Sequence, residues 1–193
     1  MTEERHEKDE GDERAVRSYR YVGPPELLRA AVRPGQGGGG RRIGSPADFD
    51  AWAGERTDAE LAESFTFVVG VDGVLRLAPR RSEHVACADG GPVRGAGEIA
   101  FAREAGRWTV DEVSNQSTGY CPDVSSWHAV AEALDRAGLG RPNGFTYEVV
   151  FRRCPRCRER AIVREGDFVC VFCGMDLPET WNVDPDGVSP SGG

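Results

Sequence analysis

Two closely spaced cysteine pairs are the residues of this sequence whose types and spacing most clearly predict chemistry. The first pair is Cys154 and Cys157, the second is Cys170 and Cys173, and twelve residues separate the two pairs. Each Cys-x-x-Cys loop, here called a knuckle, offers two thiolates to one ion, and two knuckles complete the tetrahedral Cys₄ set that a structural zinc ion prefers. The spacing therefore predicts a zinc site. The alternative is a pair of reactive dithiols or disulfides.

The segment that contains the knuckles resembles a zinc ribbon over roughly the last forty residues of the chain. Apolar stretches at 161–163 and 168–171 flank a turn-like sequence at 164–167, and this pattern predicts a hairpin that returns the second knuckle to the first. The resemblance implies that a structural zinc ion holds this small C-terminal module together.

A basic cluster surrounds the first knuckle and is the candidate interaction surface. Its members are Arg152, Arg153, Arg156, Arg158 and Arg160. Nearby acidic residues dilute its charge, and few aromatic side chains are available to stack on bases, since Phe168 and Phe172 are expected in the hairpin core. We therefore expect this surface to bind another protein. Weak nucleic-acid binding and a plain solvated surface are the alternatives.

Polar residues upstream of the knuckles form a second candidate site. His84 follows a run of charged side chains, Glu98 lies in a glycine-rich strand, and Asn115 and Ser117 precede a helix start. If these residues lined one pocket, His84 would act as acid or base, Glu98 would orient it or serve as a second acid, and Asn115 and Ser117 would bind a polar ligand. The alternative is that His84 is a satisfied histidine at a strand end and that 114–119 is a capped loop.

Two further cysteines, Cys87 and Cys121, do not fit the metal spacing. Cys121 lies just before a helix start, where the helix N-terminus can lower the pKa of a thiol and make it a nucleophile. Most lone cysteines are instead small buried apolar residues, and this is the preferred interpretation. No role is assigned to Cys87.

Charge and hydropathy exclude several classes of protein. The net charge is −8 and the isoelectric point is about 5.0, which argues against a protein that coats nucleic acid. The sequence contains no run of about eighteen apolar residues, so it predicts no membrane span. The charged first residues do not resemble a secretory signal. These features, with four cysteines in metal spacing, predict a cytoplasmic protein.

The hydrophobic pattern upstream of the knuckles predicts an α+β fold with an antiparallel sheet of four or five strands and a few short helices. Strands are expected at 65–71, 74–77, 85–88, 93–102 and 108–113, with a last one at 145–151 that runs into the first knuckle. Helices are expected at 27–32, after Ser45, after Thr57 and at 125–137. The side chains of Trp127, Val130 and Leu134 share one face of the last helix.

This pattern predicts four segments: a charged disordered tail at 1–17, an α+β domain at 18–151, the zinc ribbon at 152–182 and a disordered tail at 183–193. The leading functional prediction is a zinc-binding interaction or regulatory protein. The second is an enzyme that acts on a polar or nucleotide-like small molecule at a face formed by His84, Glu98 and Asn115.

Overall fold

The structure of the protein is a computed structural model that describes residues 17–33 and 39–184. The tails predicted at 1–17 and 183–193 lie almost entirely outside the described residues. The described chain forms a five-stranded antiparallel sheet and several short helices, which confirms the predicted α+β class. Its division into an α+β domain and a ribbon stays a prediction.

The main sheet has the strand order β1-β3-β2-β4-β5, and all neighbouring strands are antiparallel. Its strands are β1 (Arg41–Ile43), β2 (Phe65–Gly70), β3 (Leu75–Ala78), β4 (Val93–Glu104) and β5 (Arg107–Val113). Gly73, with a φ of 72°, closes the turn between β2 and β3, as the Asp-Gly sequence predicts.

The strand predicted at 85–88 is wrong, because this segment is a one-turn helix, α4 (His84–Cys87). The segment packs on a face of the sheet, where Val85 and Cys87 lie in a buried apolar cluster. It closes local helical hydrogen bonds instead, including one from the Ala88 N–H to the His84 carbonyl. β1 was not predicted, because three residues are too few to show a period.

Four more helices are α1 (Pro25–Ala31), α2 (Pro46–Gly54), α3 (Asp58–Leu61) and α5 (Trp127–Arg136). The Ser45 side chain caps α2, and Thr57 with Glu60 forms the predicted capping box at the start of α3. A short 3₁₀ turn, Val124–Ser126, leads into α5.

Helices cover both faces of the main sheet. On one face α2 and α5 bury an apolar core that includes Phe49, Trp52, Val130 and Leu134, with Trp127 packed at its margin. The predicted apolar face of the last helix is therefore confirmed. On the other face α1, α4 and Tyr120 pack over the sheet. In the described part of the chain, no helix has the length and apolar character to cross a bilayer.

The C-terminal segment forms its own two-stranded sheet, in which β6 (Val150–Arg153) pairs with β7 (Arg160–Val163). The strand predicted at 145–151 is thus shifted and pairs within this segment. The predicted hairpin forms at its turn, where an antiparallel bridge joins Arg164 to Asp167, but 168–171 is not a strand. The main partner of β7 is β6, upstream of the first knuckle.

Contacts with segments upstream, around Val22 and Cys121, position this C-terminal segment. The Trp181 indole N–H donates to the Cys121 carbonyl over 2.8 Å, and the Arg160 guanidinium donates to the Val22 carbonyl. Phe151 and Val183 pack with Cys121 in one buried cluster. The cysteine-rich segment therefore docks on the rest of the chain through apolar contacts and hydrogen bonds.

Candidate functional site

The four cysteines of the two knuckles converge on one point. Their Sγ atoms all lie within 4.8 Å of one another, with Cys154 to Cys173 and Cys157 to Cys170 both at 3.6 Å. All four are free thiols in the structure. Among the described residues this is the one group of three or more metal-ligating side chains that could hold a metal ion.

Local backbone hydrogen bonds build the two knuckles in the same way. In the first, the Cys154 carbonyl accepts from the Arg158 N–H at 3.0 Å, and the Cys154 N–H donates to the Glu159 carbonyl at 2.8 Å. In the second, the Cys170 carbonyl accepts from the Gly174 N–H, and the Cys170 N–H donates to the Met175 carbonyl, both at 2.8 Å. The repeated pattern shows that each Cys-x-x-Cys sequence encodes its own turn.

Each knuckle turns at a residue with positive φ, Arg158 at 65° and Gly174 at 70°. The left-handed conformation costs little for Gly174 but about 1 kcal/mol for a residue with a Cβ such as Arg158. The hydrogen bonds and the packing of the cluster hold Arg158 in this conformation. The first knuckle is thus the more constrained of the two.

The packed thiols differ in how readily they ionise. Burial opposes ionisation of Cys154, but the backbone N–H groups of Cys157 and Arg156 and the neighbouring thiols lower its pKa to about 6. At Cys157 the Glu159 backbone N–H favours the thiolate, yet burial and the other three thiols raise its pKa to about 12. Four thiolates cannot share this space unless a cation neutralises them, because like charges at this distance repel.

An exposed apolar patch, here called the knuckle patch, lies on and beside the second knuckle. It consists of Val169, Val171, Phe172 and Met175. Val171 and Phe172 are 68% and 63% exposed, so the prediction that Phe172 lies in the hairpin core is wrong. Cys170 and Cys173 point their thiols inward, and the two residues between them therefore project into solvent.

Three of the five arginines of the candidate interaction surface bond to backbone carbonyls, and two do not. Arg152 is 6% exposed and donates to the carbonyls of Phe151, Pro178 and Glu179, so its prediction as a surface residue is wrong. Arg153 donates to the carbonyls of Arg158 and Asp184, and Arg160 to that of Val22. Arg156 and Arg158 are exposed, and within the described residues their side chains form no ion pair or hydrogen bond.

His84 and Glu98 come together at the end of the main sheet. The His84 Nε2 atom lies 3.8 Å from a Glu98 carboxylate oxygen and 3.1 Å from the Gly97 carbonyl. Because a carbonyl only accepts, Nε2 carries a proton and donates it to Gly97. His84 is the first residue of α4 and not a strand end, and Glu98 pairs across the sheet with Thr66.

Burial moves the pKa values of both side chains toward their neutral forms. It lowers the pKa of His84, which the hydrogen bond to Gly97 opposes. It raises the pKa of Glu98, although the Thr66 hydroxyl and the charge of Arg80 act in the other direction. His84 is therefore mostly neutral near pH 7, and the pair differs from a charged ion pair.

Asn115 and Ser117 do not reach this face. Asn115 is fully buried: its amide nitrogen donates to the carbonyls of Pro122 and Val149, and its oxygen accepts from the Val149 N–H at 2.7 Å. Ser117 is buried too, and its hydroxyl has no partner in the structure. This geometry does not support the prediction that both residues bind a ligand, because Asn115 ties the end of β5 to the segment that enters β6.

The glycine-rich sequence before Glu98 lets the backbone of β4 lie close to the backbone around Ser114. A Cβ at Gly97 would lie 1.9 Å from the Ser114 carbonyl oxygen, so only glycine fits where β4 meets the segment that carries Asn115. A glycine inside a strand is typical of such a close approach by another backbone segment.

Glu98 borders a cavity of about 400 Å³ at the open end of β4 and β5. The cavity has mainly polar walls, which come from Ser64, Glu98, Glu112, Ser114, Gln116, Thr146 and Tyr147 among others. The structure thus places Glu98, but not His84, in the wall of a cavity, and the polar neighbours of Glu98 there differ from the predicted set.

Cys87 and Cys121 are buried, and burial raises the pKa of each thiol to about 12. The Cys121 Sγ donates to the Thr118 carbonyl. A thiol that stays protonated near neutral pH is not a nucleophile, so the hypothesis of a catalytic Cys121 is not supported.

Comparison with known proteins finds no matching family model, no matching curated protein and no matching solved structure. The ribbon therefore remains a resemblance carried by the four cysteines. The knuckle patch was missed at the level of sequence, although the signal was present: Val171 and Phe172 occupy the positions that Pro155 and Arg156 occupy in the first knuckle. Residues at these positions point away from the sulfur cluster.

Proposed function

We propose that this chain is a zinc-binding interaction protein, in which the metal holds the knuckle patch in place for recognition by another protein. The observation that carries the proposal is the exposure of Val171 and Phe172 on a loop whose two ends are clustered thiols. Large exposed apolar side chains on a rigid support are typical of binding sites.

The sulfur geometry supports zinc. A Zn–S bond of about 2.3 Å in a tetrahedron gives an S–S edge of about 3.8 Å. Two of the observed S–S distances are 3.6 Å, so little movement is needed to admit the ion. Four thiolates fill all the positions of tetrahedral zinc, and the ion would therefore be structural and not catalytic.

The partner that fits this surface is a protein segment with apolar and acidic side chains. Phe172 and Val171 provide apolar anchors, and aromatic anchors commonly supply most of the free energy at such interfaces. Arg156 and Arg158, on the adjacent knuckle, provide exposed positive charge without an internal carboxylate partner among the described residues. Because the chain as a whole carries a charge of −8, an acidic partner is repelled elsewhere and attracted here.

A cytoplasmic location fits this function. All six cysteines are free, and thiols stay reduced and available to zinc in the cytoplasm. Fractionation of the native host's cells checks this proposed location, and the protein should be found in the cytoplasmic fraction.

Peptide selection on the zinc-loaded chain tests the proposed surface. A displayed random library should yield peptides that combine an apolar residue with Asp or Glu, and Phe172→Ala should weaken their binding about tenfold or more. Arg156→Glu together with Arg158→Glu should abolish the preference for acidic residues. The matched control is Tyr147→Ala, because Tyr147 is also 63% exposed but lies outside the ribbon.

Three outcomes would overturn this proposal. Selected peptides that bind Phe172→Ala as tightly as the unaltered chain would place the interface elsewhere. Concentration-dependent dimerisation that Phe172→Ala abolishes would show that a second copy of the chain covers the patch. Electrophoretic shifts of single-stranded or duplex nucleic acid, lost with the arginine changes, would favour nucleic-acid binding instead.

A second function, an enzyme acting on a polar small molecule, is favoured by one observation: His84 and Glu98 lie 3.8 Å apart where Glu98 borders a cavity. A neutral histidine beside a carboxylate is suited to general acid–base catalysis. A screen of nucleotides and polar metabolites tests it. Turnover that both His84→Ala and Glu98→Gln abolish, in variants that remain folded, would rank this function first.

A further inference from the structure

A second cavity, larger than the one beside Glu98, lies where α2, α3, the β4–β5 hairpin and the segment after α5 meet. It has a volume of about 630 Å³, within the usual range for small-molecule sites. Its apolar wall includes Phe49, Leu61, Trp108 and Leu139. No part of the proposed interaction function uses this cleft.

Three arginines line the cleft, and two of them are held by aromatic rings. The Arg56 guanidinium lies 4.0 Å from the Trp52 ring centroid and donates to the Trp52 carbonyl. The Arg103 guanidinium lies 4.9 Å from the Trp108 ring centroid, and Arg107 stands at the start of β5. Stacking holds a guanidinium by its face and leaves N–H groups at its edge for other acceptors.

None of these three arginines forms an ion pair within the described residues. Other exposed arginines of the chain do, such as Arg41 with Glu55 and Arg80 with Glu63. Burial lowers the pKa of Arg56, while Glu55 and Glu60 favour its charged form. A half-buried guanidinium with no carboxylate at contact distance retains unused capacity to bind an anion.

The carboxylates of the cleft do not cancel this charge. Asp50 and Asp58 also line it, so the lining carries three positive and two negative side chains. Both aspartates are exposed, and neither contacts the arginines closely enough to form an ion pair. The cleft thus has a local positive excess in a chain whose net charge is −8.

We propose that this cleft binds a small aromatic anion, whose carboxylate or phosphate lies between the guanidiniums and whose ring packs against Trp108. A planar anion matches the fork of N–H groups on arginine, and the apolar wall matches a ring. The site is separate from the knuckles and does not require their function.

Binding of matched aromatic probes to the zinc-loaded full chain tests this proposal. The probes are 2-naphthoate and 2-naphthyl phosphate, with neutral 2-naphthol as the uncharged control of the same ring system. At least one anion should bind about tenfold or more tightly than 2-naphthol in calorimetric titration. The indole N–H resonance of Trp108 should shift in proportion to occupancy.

Substitutions assign the site. Arg103→Gln with Arg107→Gln should weaken anion binding about tenfold or more and leave 2-naphthol unchanged, since only the charge is lost. Both residues are exposed, so the double variant should fold normally. The matched control is Arg29→Gln, an exposed arginine of α1 on the other face of the sheet, which should bind like the unaltered chain.

Equal affinity for 2-naphthol and both anions would overturn the proposal, because it would reduce the cleft to an apolar groove. Undiminished anion binding by the double variant, or a shift of Trp181 in place of Trp108, would also overturn it. In either case the anion would bind elsewhere on the chain.

Discussion

Replacing the buried amide of Asn115 should destabilise the whole chain and not merely remove a polar group from a binding face. Asn115→Ala removes three hydrogen bonds, at 3.0, 2.7 and 2.7 Å, which join Pro122 and Val149 to the end of β5. Each such bond contributes about 1 kcal/mol, and the partner groups would stay buried without a partner. We therefore expect a loss of at least about 3 kcal/mol in the free energy of unfolding.

Urea denaturation of the zinc-loaded chain, followed by circular dichroism, measures this loss. The matched control is Gln116→Ala, which removes the same type of amide at the next, exposed position and should cost less than about 0.5 kcal/mol. A loss below about 1 kcal/mol for Asn115→Ala would refute the structural role and return Asn115 to the candidate ligand-binding residues.

Three other predictions follow from burial and ionisation. Leu134→Ala should cost about 2–5 kcal/mol, because Leu134 is fully buried, whereas Glu132→Ala on the exposed face of α5 should cost little in the same denaturation assay. Alkylation followed by mass spectrometry should label no cysteine in the zinc-loaded chain, four after chelation and all six after denaturation. Cys87 and Cys121 should react only after denaturation, because burial keeps their thiols protonated. Labelling of Cys121 in the zinc-loaded chain would contradict this. Burial raises the pKa of Glu98 above its ordinary value of 4.5, so ionisation of Glu98 destabilises the fold as pH rises. The stability of Glu98→Gln relative to the unaltered chain should therefore increase between about pH 4 and pH 7. A constant stability difference over this range would contradict the shift.

Features encoded by local sequence were predictable. Ser45 and Thr57 cap helices by bonding to residues three positions ahead, and each Cys-x-x-Cys turn closes through bonds within six residues. Such features need no knowledge of the distant chain. The proximity of the four thiols followed from the same local spacing.

Features that depend on distant partners were not predictable. Asn115 bonds to Val149, 34 residues away, and no local pattern distinguishes it from an amide in a binding loop. α4 was expected as a strand because Val85 and Cys87 favour strands, but both side chains pack on a face of the sheet against residues distant in sequence, such as Tyr19. Burial of Arg152 likewise depends on carbonyls at 178 and 179.

Native mass spectrometry of the purified chain shows directly whether the four thiolates hold a zinc ion. We predict the mass of one chain with a single zinc ion, and loss of this species in Cys170→Ser. A metal-free chain whose mass is lower by the hydrogens of two disulfides would contradict the claim, as would a reduced chain that carries no metal after purification without chelator.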